Sequence, residues 1–254
     1  MKEVEKYYDN FSYPKINLYT NRQRKRHDKL IKNILKIGKI DLKNLKDKKV
    51  LDAGCGTGEK SVFLAKNKAL VTGIDLSKEQ INCSKSLALK NNLKIDFLKK
   101  DIVNDSFSSF KKYDIILCTG VLHHTENPYK GFLNLLSVLK KDGIIIIALY
   151  HKYARIRYRF IRFLLHNFIS RDSKKLEYAF NNYSILKPLK KAPKNSIYDR
   201  YLVPYESYHT LKEVKEWFSK NNIETLSFSK EFKGYEPLKI FEKKTLFFIS
   251  GIKK

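Results

Sequence analysis

The chain has 254 residues and carries 52 Lys and Arg against 26 Asp and Glu, a formal net charge of +26, while 43% of its residues are hydrophobic and 13% aromatic. That balance excludes a disordered chain and leaves enough apolar surface for one large core, or one core with an inserted cap. The longest apolar run, Ile144 to Tyr150, is far too short to span a bilayer, and Met1 to Lys6 has no signal-peptide pattern, so a soluble, cytoplasmic protein is expected. Cys55, Cys83 and Cys118 are odd in number and lack C-x-x-C spacing, which fits a reducing compartment and predicts no metal site. The charge comes from 43 Lys and only 9 Arg. Lys lacks the bidentate fork of Arg, so the charge alone suits a solvated basic surface as well as a nucleic-acid or membrane footprint.

From the N-terminus, Tyr7 to Thr20 holds aromatics and turn formers without a period. Asn21 to Leu45 reads as a basic helix with apolar positions at Leu30, Ile31, Ile34, Leu35 and Ile37. Residues 1–47 are therefore expected to form a lid or brace. Strand and helix then alternate. Lys49 to Asp52 reads as a strand, Lys60 to Lys66 as a helix, Leu70 to Asp75 as a strand, and Lys78 to about Asn91 as a helix. Further strands are expected at Ile95 to Leu98, Tyr113 to Cys118 and Ile144 to Leu149, with a helix from Pro128 to Leu139. Such alternation implies right-handed crossovers and a parallel, doubly wound α/β sheet. After Tyr150 the pattern gives way to helical character, including Tyr153 to Ile169, and residues 151–209 are expected to be an inserted helical cap. Residues 210–254 return to the core with a helix at Leu211 to Lys220 and strands at Thr225 to Ser229 and Thr245 to Ile252.

The sharpest motif is Val50-Leu51-Asp52-Ala53-Gly54-Cys55-Gly56-Thr57-Gly58, a strand running through three alternate glycines into a helix. Glycines at such a turn allow positive φ and let a ligand lie against main-chain N–H groups. Asp75, at the end of the next strand, is placed to accept hydrogen bonds from ribose hydroxyls, with Leu76 beside it. Asp101 and Ile102 would sit at a base edge, and Thr119 and Gly120 would face the same crevice. A glycine turn alone leaves a nicotinamide or flavin site open, but G-x-G-x-G preceded by Asp52 departs from the dinucleotide fingerprint G-x-G-x-x-G. Together with Asp75, Asp101 and Val121-Leu122-His123-His124, the motif resembles the class I S-adenosylmethionine-dependent methyltransferases over residues 48 to about 150. The resemblance implies a seven-stranded, Rossmann-like, mostly parallel sheet in the order 3-2-1-4-5-7-6, closed by an antiparallel strand at Leu246 to Lys253. It further implies S-adenosyl-L-methionine as cofactor, with Asp52 and Gly54 at its methionine end, Asp75 on the ribose, and Asp101 and Ile102 at the adenine. Cys55, Gly56, Gly58, Leu76, Thr119, Gly120 and Leu122 complete the expected cofactor set.

A sulfonium methyl is already activated, so the enzyme must chiefly place the acceptor and shield it, and a His is the side chain best suited to take a proton at neutral pH. His123, His124 and Tyr150 lie just past strand ends at the acceptor rim. The loop Asp199 to Thr210 adds Glu206 and His209 as candidates, although Thr210 with Glu213 also spells a capping box. His209, Glu206, His124 and Tyr150 are thus the catalytic candidates. Arg155, Arg157, Arg159 and Arg162 alternate with aromatic and aliphatic residues, giving three expectations for this helix. It would grip an RNA backbone, lie on anionic lipid to reach a lipid or quinone-like acceptor, or cover the active site with its apolar face while its arginines stay solvated. A small or medium-sized acceptor is the leading expectation.

Overall fold

A computed structural model of the chain describes residues 2–10, 21–183, 186, 197–241 and 244–254. Most of the aromatic stretch before Thr20, and the cap residues 187–196, lie outside the described residues. Seven strands, β1 (Lys49–Ala53), β2 (Leu70–Asp75), β3 (Asp96–Lys99), β4 (Tyr113–Thr119), β5 (Leu139–Tyr150), β6 (Ile223–Phe228) and β7 (Leu246–Lys253), form one sheet in the order 3-2-1-4-5-7-6. The pairs β3/β2, β2/β1, β1/β4 and β4/β5 are parallel, whereas β7 runs antiparallel to both β5 and β6.

The helices are α1 (Lys2–Asn10), α2 (Asn21–Ile37), α3 (Glu59–Lys66), α4 (Lys78–Lys90), α5 (Pro128–Ser137), α6 (Ile156–Phe168), α7 (Ser173–Asn182) and α8 (Leu211–Lys220). Side chains along a strand alternate between faces, so the central strands feed two cores. Leu51, Ile116, Ile145 and Ile147 pack with Phe132 of α5 and Val214 and Phe218 of α8 on one side. Val50, Leu117 and Ile146 meet Ile31, Ile34 and Leu35 of α2 and Leu64 of α3 on the other. The predicted capping box starts α8: the Thr210 hydroxyl accepts from Glu213 N–H, and the Glu213 side chain returns to Thr210 N–H.

α2, which lies in the expected lid or brace, packs into the helical layer against the sheet. Gly38 just beyond it lies so close to the sheet that a Cβ there would stand 2.6 Å from the end of Ile146, and Ser250 Oγ donates to the Ile37 carbonyl at 2.5 Å. The cap, by contrast, has its own small core of Leu165, Leu176, Phe180, Tyr201 and Val203, joined by Tyr7 from α1. It is stitched to the sheet where His209 N–H donates to the Tyr150 carbonyl and Lys152 N–H to the His209 carbonyl, both at 2.9 Å.

Candidate active site

The glycine loop is built by its φ angles and by its ties to the neighbouring strand. Gly54, Gly56 and Gly58 all have positive φ (+72°, +55° and +88°), a region that L side chains enter only at a cost. Gly54 and Cys55 N–H donate to the Ile74 carbonyl at 2.8 and 2.9 Å, which brings the loop against the end of β2. Gly56 N–H then donates to Asp75 Oδ2 at 2.9 Å, and Ser77 N–H to Asp75 Oδ1 at 3.0 Å. Two fixed donors therefore aim the carboxylate. Burial nonetheless holds the Asp75 carboxyl above its ordinary pKa, opposed by those N–H groups.

The three glycines serve different ends. A Cβ on Gly54 would stand 2.2 Å from Val121, and one on Gly58 would stand 2.7 Å from Ser84, so these positions allow close packing. A Cβ on Gly56 would meet nothing within 4 Å, and the same holds at Gly120, where φ is +80°. Those two open into a cavity of about 420 Å³.

Its lining follows the order of the sheet. Asp101 and Ile102 follow β3, Asp75 and Leu76 follow β2, Gly54 to Thr57 follow β1, Thr119, Gly120, Val121 and His124 follow β4, and Leu246 and Phe248 belong to β7. Val4 and Tyr8 of α1 and Leu30 and Ile34 of α2 complete the wall. One end is thus acidic and polar, the other apolar. Gln80 of α4 is a lining residue that sequence reasoning missed. It is buried, and its side-chain oxygen has no hydrogen-bond partner among the described residues. A hydroxyl-bearing, amino-bearing nucleoside fits a carboxylate, an orphaned amide oxygen and two Cβ-free glycines in this arrangement. Asp101 also lines the cavity, but its carboxylate shapes its own turn, accepting from Val103 N–H at 2.8 Å and Asn104 N–H at 3.2 Å.

Several predicted residues stand elsewhere. Asp52 is fully buried beneath the loop, 2.9 Å from Lys60 Nζ, and accepts from Ser61 Oγ at 2.7 Å. Lys60 in turn donates to Thr119 Oγ1 at 2.8 Å, so this unpredicted lysine ties α3 to the end of β4. Leu122 is a core residue packed against Gly131, and Val121 takes the place at the cavity that had been expected for it. Cys55 does line the cavity, but burial and the nearby Asp52 and Asp75 push its thiol up, which leaves it protonated and unreactive.

Of the catalytic candidates, His124 alone lines the cavity, with its Nδ1 3.0 Å from the Tyr205 carbonyl. Tyr150 lies one layer back, its ring between His123 at 3.8 Å and the Arg155 guanidinium at 3.6 Å. Burial, with His124 and Arg155 nearby, drives His123 well below its ordinary pKa and keeps it neutral. Glu206 is buried in an ion pair with Arg155, and Arg162 stands 3.7 Å from its other oxygen. His209 Nε2 lies 2.9 Å from Ser207 Oγ and its Nδ1 2.9 Å from Glu213 Oε1, which makes it part of the start of α8. The expectation that the α6 arginines stay solvated is overturned: Arg155 is buried, Arg162 reaches the Val203 and Pro204 carbonyls, and Arg159 lies over the Tyr208 ring. Among the four, Arg157 is exposed.

The family described as a methyltransferase domain matches residues 44–222. The chain is 36% identical over 116 residues to a ubiquinone biosynthesis O-methyltransferase of Glaesserella parasuis serovar 5, covering 42% of this chain and 48% of that protein. It is 34% identical over 105 residues to the enzyme of that name in Rickettsia bellii, covering 41% and 43%. The chain thus spans about half the length of the curated relatives it matches. A magnesium protoporphyrin IX methyltransferase from Synechocystis PCC 6803, solved with bound SAH, shares the fold at a TM-score of 0.62 and 17% identity, over 99% of this chain and 98% of that one. With the domain match covering most of the chain and the sheet order and glycine loop in place, the chain belongs to the class I S-adenosylmethionine-dependent methyltransferases.

Proposed function

We propose that this methyltransferase alkylates a hydroxyl of a small, largely apolar acceptor, and that His124 takes the proton that hydroxyl gives up. The observation that carries the reading is the division of the cavity into a polar nucleoside end and an apolar end with one imidazole at its wall. S-adenosylmethionine supplies an electrophilic methyl group on a sulfonium. Asp75 would hold the ribose, Gly56 and Gly120 leave room for the cofactor at the loop and at the end of β4, Gln80 would accept a hydrogen bond from it, and Asp101 and Ile102 would flank the base. Leu30, Ile34, Leu246 and Phe248 would then bury the acceptor and keep water from it.

His124 is suited to its role by its tautomer. A carbonyl can only accept, so the contact with Tyr205 places the ring proton on Nδ1 and leaves the accepting lone pair on Nε2, which is buried in the wall and would have to turn toward a bound acceptor. Curated relatives named for ubiquinone biosynthesis agree with an apolar acceptor, and a ring hydroxyl of the quinone type fits this chemistry. An RNA acceptor loses part of its support, because Arg155 and Arg162 are engaged inside the protein, although the basic run Arg22 to Arg26 stays exposed. The test is labelled-methyl transfer to a panel of apolar phenols and catechols by the wild type and by His124→Gln. Turnover should fall by about 10²-fold or more in the variant, the usual worth of a positioned base, while cofactor affinity stays within about twofold. Unchanged turnover would remove His124 from the chemistry.

A further inference from the structure

The α6 helix carries its amphipathic pattern the opposite way round from a helix that covers an active site. Arg155, just before it, and Tyr158, Arg162 and Leu165 face inward, to the Glu206 ion pairs and the cap core. Ile156, Phe160, Phe163, Leu164 and Phe168 fall on the other face at spacings of three and four, and they stand in solvent; Phe160 is 62%, Phe163 60% and Phe168 80% exposed. A contiguous apolar stripe of this kind on a protein surface marks an interaction site.

We infer that this stripe docks the protein onto an anionic membrane surface, with α6 lying in the plane of the interface. The charge around the stripe identifies the occupant. Lys152, Arg157, Arg171, Lys174 and Lys175 are exposed on and beside α6, and between His151 and Leu176 the chain has a single acid, Asp172. Aromatic residues seated in a basic frame on a helix suit the boundary between lipid headgroups and acyl chains. A second copy of the chain would bring another +26 charges against the same cations. Single-stranded nucleic acid would find rings to stack on, but Ile156 and Leu164 in the same stripe offer no stacking surface. From the inner side of the docked segment, a chain of contacts runs from Arg155 through Tyr150 and His123 to His124 at the cavity wall.

Flotation of the full chain with vesicles of phosphatidylcholine and phosphatidylglycerol tests this, with F160S/F163S/F168S as the variant and melting temperature and cofactor affinity as controls of its fold. The wild type should float with the anionic vesicles and much less with pure phosphatidylcholine, and the triple variant should lose about tenfold or more of its partitioning. If the triple variant does not fold, Phe168→Ser, at the most exposed position, should still weaken flotation. Failure of the wild type to float would overturn the inference. So would flotation that is unchanged in the variant, a wild-type dimer by light scattering that the variant dissociates, or displacement of the protein from vesicles by single-stranded RNA that the wild type binds through the same phenylalanines.

Discussion

Between β1 and β5, Asp75, Asp101, Thr119 and His124 lie at or just past strand ends and line the cavity, whereas along α6 and just before it Arg155 and Arg162 turn inward and Phe160, Phe163 and Phe168 outward. The contrast comes from what fixes a side chain's direction. At a strand end, alternation along the strand and positive φ at the glycines leave one orientation, set within a few residues. On α6 either face of the helix can be buried, and the choice falls to Glu206, 51 residues further on from Arg155, whose carboxylate draws Arg155 and Arg162 inside.

The largest effect should come from breaking that choice. Glu206→Ala leaves two buried guanidinium groups without their counter-charge and should cost about 3–5 kcal/mol of stability, measured by denaturant unfolding, while the β1-to-β5 region keeps its cofactor affinity at temperatures where the variant is folded. A loss below about 1 kcal/mol would mean that the arginines reach water and that the cap is not organised around this carboxylate. In the other region, Asp75→Ala should remove charged hydrogen bonds worth about 1.5–3 kcal/mol each, weakening S-adenosylmethionine by about tenfold or more in a binding titration.

The smallest effect lies at the seam between the two regions. His123 is held neutral in the folded protein, well below 6.5, while in the unfolded chain it titrates near 6.5. Below that pH the unfolded state binds a proton that the folded state refuses, so stability falls as pH drops, by at most about 1.4 kcal/mol per pH unit. His123→Phe should flatten this slope in melts between pH 6.5 and 5; an unchanged slope would assign it to other groups.

The same contrast explains what could be read before the structure. The sheet order was legible only through the family resemblance, whereas Gly54, Gly56, Asp75 and the loop after β4 were legible from motifs local in sequence. Lys60 and Gln80 were not, since one lysine among 43 and one glutamine on a polar helix carry no distinguishing spacing, and their roles depend on how α3 and α4 rest on the sheet. Asp52 looked like a ligand group because it precedes the glycines, but it is buried against Lys60 and Ser61 of α3. His209 and Glu206 looked like an acceptor loop because polar residues cluster there. The capping box at Thr210 and Glu213, equally visible in sequence, was the better guide, for His209 pairs with Glu213.

The most direct test of the account is a calorimetric titration of S-adenosylmethionine into Asp75→Ala and His124→Gln side by side with the wild type. If the cavity has a nucleoside end and a separate acceptor end, Asp75→Ala loses about tenfold or more in affinity and His124→Gln binds as the wild type does. Equal losses in both variants, or none in either, would contradict that division of the site.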